Sequence, residues 1–314
     1  MPKKPLISVV MSVYNGSNFV EEAIESVLNQ TLDNFEFIII DDDSHDHSIN
    51  IIKSFNDKRI KLRKNNNNLG QSESLNKGIR LSKGEFIARI DQDDICLPER
   101  FEVQYKYMMD NPEIGILGSQ SYILNENESK MSMWNKRPES HYQNMWTLMH
   151  SSSLVHPTVM IRRSVLNGND LFNKIYSPSD DYELWSRLVF KTKINQINTP
   201  LVIKRRHSEN TGNKFYNTKK RNRFIIQKRY IIKLYKIEPY FEYFFQQYRF
   251  SKVFDIPSSR IKRLIGIIQI MYYFYYFTNK YKVMNSDKKW IKGDILKLIK
   301  SKYEHYFIKR ILIC

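Results

Sequence analysis

Phe86-Ile87-Ala88-Arg89-Ile90-Asp91-Gln92-Asp93-Asp94 sets an apolar run directly ahead of three carboxylates. The run reads as a short buried strand, and the acids fall where it ends. Carboxylates this close repel and raise one another's pKa unless a cation or a dense set of donors keeps them ionised. A divalent metal is an economical answer. Oxygen ligands suit Mg²⁺ or Mn²⁺, and a site with few protein ligands leaves coordination positions for phosphate oxygens. A solvated acidic turn would use the same residues, so the rest of the chain has to decide between the two.

Working outward, Leu6-Ile7-Ser8-Val9-Val10-Met11 is a second β-branched run and stops at Tyr14-Asn15-Gly16. Phe19, Val20, Ala23, Ile24, Val27 and Leu28 then form the stripe of an amphipathic helix. Phe35 to Ile40 is a buried strand that ends in Asp41-Asp42-Asp43-Ser44. Further alternation places a helix near Asp46 to Phe55, a strand near Arg59 to Arg63, a helix over Gln71 to Leu81 and a helix over Pro98 to Asp110. Strand alternating with helix predicts an α/β fold with a mainly parallel sheet flanked by helices. In such sheets ligands bind beyond the carboxyl ends of the strands, so Tyr14-Asn15, Asp41-Asp42 and Asp91-Asp93-Asp94 should meet in one crevice.

The pattern loosens afterwards. Ile114 to Ile123 reads as a strand, Asn125 to Lys136 as a polar loop, and His156 to Ile161 as a short strand. Ser177-Pro178-Ser179-Asp180-Asp181-Tyr182-Glu183-Leu184-Trp185 opens a helix, with Ser179 as the N-cap and acids in the first turn. Ile194 to Arg206 is strand-like and delivers His207. The chain lacks both Gly-x-Gly-x-x-Gly and a Walker-type Gly-Lys-Ser/Thr. Carboxylate-held metal is the remaining common way to bind a diphosphate.

Five segments, taken together, resemble the family 2 glycosyltransferases of the GT-A fold: Pro5 to Asn15, Phe37 to Ser44, Asn68-Leu69-Gly70, Ala88 to Asp94, and Asp180 to Trp185. The similarity covers roughly residues 5 to 210. It implies a Rossmann-like GT-A domain that transfers a sugar from a nucleotide donor, UDP being the commonest base, to an acceptor hydroxyl with inversion at the anomeric carbon. By this resemblance Tyr14, Asn15, Asp41, Asp42 and Asp91 bind the nucleotide sugar. Asp93, Asp94 and His207 hold Mn²⁺ or Mg²⁺, with imidazole favouring Mn²⁺. Asp181 is the general base, and Asp180, standing where Glu is usual, supports it. Asp43 replaces a Gly at a position that can require positive φ, which Asp tolerates better than most residues.

Charge divides the chain of 314 residues: residues 1–214 hold 27 basic and 27 acidic side chains, whereas 215–314 hold 23 and 6. The net charge of +17 therefore belongs to the last hundred residues. This predicts a catalytic domain over 1–214 and a basic, aromatic-rich, mainly helical region over 215–314, with Tyr240-Phe241, Tyr243 to Phe245 and Tyr272 to Phe277 among its Lys and Arg. Such composition suits either an anionic membrane surface or nucleic acid. The preceding domain favours a lipid-linked acceptor at a bilayer, so we expect peripheral contact with the inner membrane face from the cytoplasm and no nucleic acid. The start of the chain lacks the apolar core of about 7 to 15 residues that a secretory signal needs. Leu264 to Phe277 falls short of the roughly 20 residues of a spanning helix. Two cysteines, Cys96 and Cys314, make no disulfide framework.

The acids alone also fit a metal-dependent nucleotidyltransferase, or a sugar-nucleotide-binding protein at a membrane surface without turnover. Neither needs a base at Asp181.

Overall fold

A computed structural model describes residues 4–125, 131–134, 137–166, 168, 171–208, 210, 215–235 and 274–303. The acidic cluster's strand sits in the middle of a mixed sheet. Its elements run β1 (Ile7–Val13), α1 (Val20–Leu28), β2 (Phe35–Asp41), α2 (Ser48–Ser54), β3 (Ile60–Lys64), α3 (Gln71–Leu81), β4 (Phe86–Arg89), β5 (Ile95–Cys96) and α4 (Arg100–Asp110). They continue with β6 (Ile114–Asn125), β7 (Met131–Met133), α5 (His141–Thr147), β8 (Met160–Arg162), α6 (Asp180–Leu188) and β9 (Lys193–Arg206). Helices α7 (Tyr216–Tyr235) and α8 (Asn285–Tyr303) follow, with residues 274–280 also helical.

Spatial order is β3-β2-β1-β4-β8-β6-β9-β5, with β7 hairpinned onto β6. β1 pairs in parallel with β2 and β4, and β2 with β3, as the β-α alternation requires. β8 then runs antiparallel between β4 and β6, and β9 lies parallel to β6. The sheet is thus mixed and mainly parallel in its first half.

Strands read as nearly continuous apolar runs because both faces are covered. Ile7, Val9, Met11 and Val13 pack with α1, Ile52 of α2 and Phe101 and Met108 of α4. Val10 and Ile87 point the other way, into a cluster with Leu75 of α3, Trp146 of α5 and Trp185 of α6. That second cluster also contains Ile226, Tyr230, Ile231 and Leu234 of α7, Phe277, and Ile291 and Ile295 of α8. The described helices of the basic region therefore share a core with the preceding residues. Two polar clasps fix α8: Asp287 Oδ1 accepts from Ser140 Oγ at 2.7 Å and Gln143 Nε2 at 2.9 Å, and Asp294 Oδ2 accepts from Trp146 Nε1 at 3.2 Å.

Three sequence expectations change. His156 to Thr158 is a 3₁₀ turn, and the strand begins only at Met160, since Pro157 has no N–H to give a ladder. Part of the expected polar loop is strand β7 instead, whose Met131 to Met133 pair with Tyr122 to Leu124; residues 126–130 and 135–136 lie outside the described residues. Ser179 stands at the N-cap of α6 but its hydroxyl makes no capping bond. The aromatic clusters at 240–245 and 272–273, and most of 264–277, also lie outside the described residues. No described helix is long and apolar enough to cross a membrane.

One close approach anchors β1 beside β4. Ser8 Oγ accepts from Gly84 N at 2.8 Å and donates to the buried Glu36 at 2.6 Å, and Glu36 in turn accepts from Lys83 N at 2.6 Å and pairs with Lys61. A Cβ on Gly84 would lie 2.5 Å from Ser8 N, a backbone atom that cannot swing aside. Gly84→Ala should therefore destabilise the protein by about 1–3 kcal/mol, read as a lower urea midpoint. An unchanged midpoint would show that the chain relaxes there freely.

Candidate active site

The ends of β1, β2 and β4 meet, as the alternation required. Tyr14 N donates to Gln92 Oε1 at 2.8 Å and Gln92 Nε2 returns a bond to Tyr14 O at 3.2 Å, so the first turn and the acidic turn hold each other. Asn15 takes a positive φ of 47° and fixes the β2 turn: its N–H donates to Ser44 Oγ at 3.1 Å and its Oδ1 accepts from His45 N at 2.9 Å. Asp43 has φ 65°, the left-handed conformation expected at this position. The Tyr14 ring stays 44% exposed beside them, available to a flat ligand.

Asp41 and Asp42 are both buried, yet their oxygens differ in use. Asp42 accepts from Asn65 Nδ2 at 2.7 Å, Leu69 N at 2.9 Å and Gly70 N at 2.8 Å, tying down the loop that follows β3. Asp41 accepts only from Ser44 N, at 3.3 Å, and its Oδ1 has no hydrogen-bond partner among the described residues. Of the two, Asp41 keeps acceptor capacity and Asp42 spends its own on the loop.

The three acids of the opening stretch lie with ligand atoms within 4.8 Å of one another. Each carries a different set of partners. Asp91 pairs with Arg89, accepts from Gln71 Nε2 at 2.9 Å, and has Lys204 Nζ at 3.9 Å. Burial alone would raise its pKa, but Arg89 and Lys204 outweigh burial and hold the carboxyl at about 2. Asp94 is 0% exposed, accepts from Arg205 N at 2.9 Å, and has Lys204 Nζ at 3.6 Å from its Oδ2. Burial, with Asp93 and Asp91 alongside, pushes it up to about 7 although Lys204 pulls the other way. Asp93 accepts at Oδ2 from Asn210 Nδ2 at 3.0 Å and lies 2.9 Å from His207 Nε2. The His207 ring packs on Phe19, centroids 4.8 Å apart.

This donor set fits a divalent ion. Three carboxylates and an imidazole converge, and the buried Asp94 Oδ2 lacks any hydrogen-bond donor among the described residues. Oxygen with one nitrogen is chemistry that Mn²⁺ accepts.

Asp180 and Asp181 begin α6, within the positive field of Arg89. Ser72 Oγ, from the first turn of α3, donates to Asp180 Oδ2 at 2.7 Å. Burial and the neighbouring Asp181 still push Asp180 up to about 6. Asp181 is half-buried; burial raises its pKa, against the Tyr182 N–H at 2.7 Å and the positive fields of Lys219, Arg89 and Arg223. A carboxylate with raised pKa is the stronger base. His156 is packed against Phe172 and Trp185, centroids 5.1 and 6.1 Å away, where burial holds it neutral.

Sequence reading did not single out Arg89, Lys204 or Gln92. Two of these carried a signal: a cation inside the apolar run Phe86 to Ile90, and another closing Leu201-Val202-Ile203, must be buried with partners.

The chain is similar to known proteins in sequence and in fold. Residues 8–168, half of the chain, match the family model described as Glycosyl transferase family 2. An uncharacterized glycosyltransferase of Methanocaldococcus jannaschii is 38% identical over 192 residues, 59% of this chain and 65% of that protein. The match to an uncharacterized Haemophilus influenzae glycosyltransferase spans 61% of its length, so the chain covers less than two thirds of both. The Escherichia coli UDP-Glc:alpha-D-GlcNAc-diphosphoundecaprenol beta-1,3-glucosyltransferase WfgD is 29% identical over 68% of this chain and 83% of its own. Among solved structures, S. aureus TarS 1-349 in complex with UDP-GlcNAc superposes with a TM-score of 0.56 at 17% identity, covering 74% of this chain and 73% of that one. The mannosyltransferase PcManGT of Pyrobaculum calidifontis, in complex with GDP-Man and Mn²⁺, gives 0.54 at 13% identity, covering 97% and 89%. At those identities the structures speak for the fold alone, and that fold is GT-A. On the family match, this chain belongs to glycosyl transferase family 2.

Proposed function

We propose that the protein is an inverting, metal-dependent glycosyltransferase that moves a hexosyl or N-acetylhexosaminyl group from a UDP-sugar to a hydroxyl of a lipid-linked glycan, in the building of a surface polysaccharide. The observation that carries this reading is that adjacent residues at the start of α3 tie two acidic sets together: Gln71 Nε2 donates to Asp91 at 2.9 Å and Ser72 Oγ donates to Asp180 at 2.7 Å. Asp91 and Asp94 lie beside Lys204, while Asp180 and Asp181 start helix α6.

Asp93, Asp94 and His207 would hold the metal, which when bound offsets negative charge on the diphosphate. The side chains do the rest. Tyr14 lies against the base, and Asp41, with its spare acceptor, takes a base or ribose donor. Asn15 and Asp42 shape the turns that carry them. Asp91, kept ionised by Arg89, faces the ribose. On the acceptor side Asp181 removes the hydroxyl proton as the acceptor oxygen bonds to the anomeric carbon. The bond from that carbon to the diphosphate oxygen breaks with its electron pair, and nucleoside diphosphate leaves. Asp180, anchored on Ser72, positions Asp181. A lipid-linked acceptor is supported by the diphosphoundecaprenol named for the E. coli relative. A nucleotidyltransferase would use the same metal cluster but has no task for a raised-pKa carboxylate across from it.

Incubation with UDP-sugars, Mn²⁺ and a carrier-linked acceptor should release UDP together with glycosylated product. Asp181→Asn should lower kcat by about 10²-fold or more while donor binding persists. In the wild type, transfer should fall as pH drops through the raised Asp181 pKa, because the protonated base cannot accept a proton, so the acid limb lies above the ordinary carboxylate value of about 3.9. Transfer retained by the Asn variant would move the base elsewhere.

We further propose a cytoplasmic protein that contacts an anionic membrane peripherally through the excess of Lys and Arg in 215–314. The full chain should co-sediment with phosphatidylglycerol vesicles at low salt and release at about 0.5 M salt, where the screening length is only a few ångströms. Equal sedimentation with neutral phosphatidylcholine vesicles would exclude a charge-driven contact.

A further inference from the structure

Strand β9 ends in three consecutive cations, Lys204-Arg205-Arg206, and their side chains go to three different places. Arg205 pairs with Glu22 of α1 and lies 5.4 Å from the Phe19 ring, while Arg206 lies 5.3 Å from the ring of Trp134. Lys204 shares a face of β9 with the fully buried Val202, because side chains two apart on a strand point the same way. Of the three side chains, only that of Lys204 forms ion pairs with the acidic cluster among the described residues.

Those ion pairs are long. Lys204 Nζ is 3.9 Å from Asp91 Oδ2 and 3.6 Å from Asp94 Oδ2, whereas an ammonium that hydrogen-bonds a carboxylate sits at about 2.7–2.9 Å. No other acceptor lies within hydrogen-bond distance of Nζ among the described residues, and the side chain is 25% exposed. A lysine whose whole task was to neutralise the acids would close on one of them. Asp91 has little need of it, since Arg89 pairs with that carboxylate directly and Gln71 Nε2 donates to it at 2.9 Å. Asp94 accepts from Arg205 N at 2.9 Å, and its Oδ2, the atom nearer Lys204, has no hydrogen-bond partner among the described residues. The two acids thus attract the ammonium into the crevice and leave its three N–H donors unspent.

Position narrows what those donors meet. In the proposed site the nucleotide runs from a ribose at Asp91 to a diphosphate that Asp93 and Asp94 hold through the metal, and the α-phosphate is the group that joins the two ends. Lys204 stands beside Asp91 and Asp94 alike. We propose that Lys204 is a further substrate-binding residue, whose ammonium donates to the α-phosphate of the nucleotide. This rests on the reading of the acidic cluster as the donor site. A compact ammonium with three rotatable donors suits a non-bridging phosphate oxygen. When the bond from the anomeric carbon to the β-phosphate oxygen breaks, its electron pair stays on the diphosphate, and Lys204 offsets charge at the α end without giving up a proton.

Calorimetric titration of the full chain with uridine, UMP and UDP, in EDTA and then in Mn²⁺, tests the contact. UMP carries the α-phosphate and nothing beyond it, so in EDTA it should bind about 10-fold tighter than uridine. Lys204→Met should bring UMP to the affinity of uridine and leave uridine itself unchanged, because the base and ribose contacts persist. If the acids left without their cation unfold that variant, Lys204→Met combined with Asp94→Asn keeps the local charge balanced and carries the same expectation. Three outcomes overturn the proposal: equal affinity of UMP and uridine in the wild type, a UMP preference that survives the loss of Lys204, or an equal loss of affinity for both ligands, which marks a purely structural lysine. Failure of all three ligands to bind even with Mn²⁺ removes the donor-site reading and this inference with it, whereas UDP binding that gains from Mn²⁺ without any UMP preference removes this inference alone.

Discussion

Lys204 is the charge on which the crevice depends. Its ammonium lies 3.9 Å from Asp91 and 3.6 Å from Asp94, and with Arg89 it lets acids at the end of a central strand remain together in a buried place. At an effective dielectric near 20, an opposite unit charge at such a distance is worth about 4 kcal/mol, comparable to the effective penalty for burying one ion. The cluster is therefore tolerable when the cations are present and unstable when they are not. Lys204 reaches this position because β9 pairs antiparallel with the two-residue strand β5 and parallel with β6, which carries Lys204, Arg205 and His207 back over the acidic turn. The sheet's second half exists, in functional terms, to return these side chains to the first half.

That dependence explains what could be read from the chain and what could not. Buried parallel strands announce themselves, since Ile7 to Val13 and Phe35 to Asp41 are apolar on both faces, and their ends locate the crevice. Asp91, Asp93 and Asp94 stand out because like charges in a row have few explanations. His207 was recoverable only through the family resemblance, and the geometry places it 2.9 Å from Asp93. Lys204 carried only the signal of a cation closing the apolar run Leu201 to Ile203; its partners lie more than 100 residues away, so the local pattern could not name them. The choice between Asp41 and Asp42 likewise needed the loop at Asn65 to Gly70, which consumes one carboxylate and spares the other. Strand β8 and its preceding 3₁₀ turn were blurred into one element because an apolar run containing Pro157 has no distinctive period.

The basic region takes on a second meaning beside its charge. Composition assigned its Lys and Arg to an outside partner, and many of them lie where no structure is described. Helix α7, however, packs against α6, and its Ile226, Tyr230, Ile231 and Leu234 are buried in the shared core. At Asp181, burial raises the basicity of the carboxyl while the positive fields of Lys219, Arg89 and Arg223 lower it.

The proposed function stands or falls on the Asp91 to Asp94 cluster, with His207, acting as a metal-assisted diphosphate site. UDP titrated into the full chain with Mn²⁺ and with EDTA, beside the Asp93→Asn variant, measures this. Mn²⁺ should tighten UDP binding by about 10-fold or more, a difference of about 1.4 kcal/mol, and Asp93→Asn should lose the gain. UDP affinity that is the same with Mn²⁺ and with EDTA would contradict it.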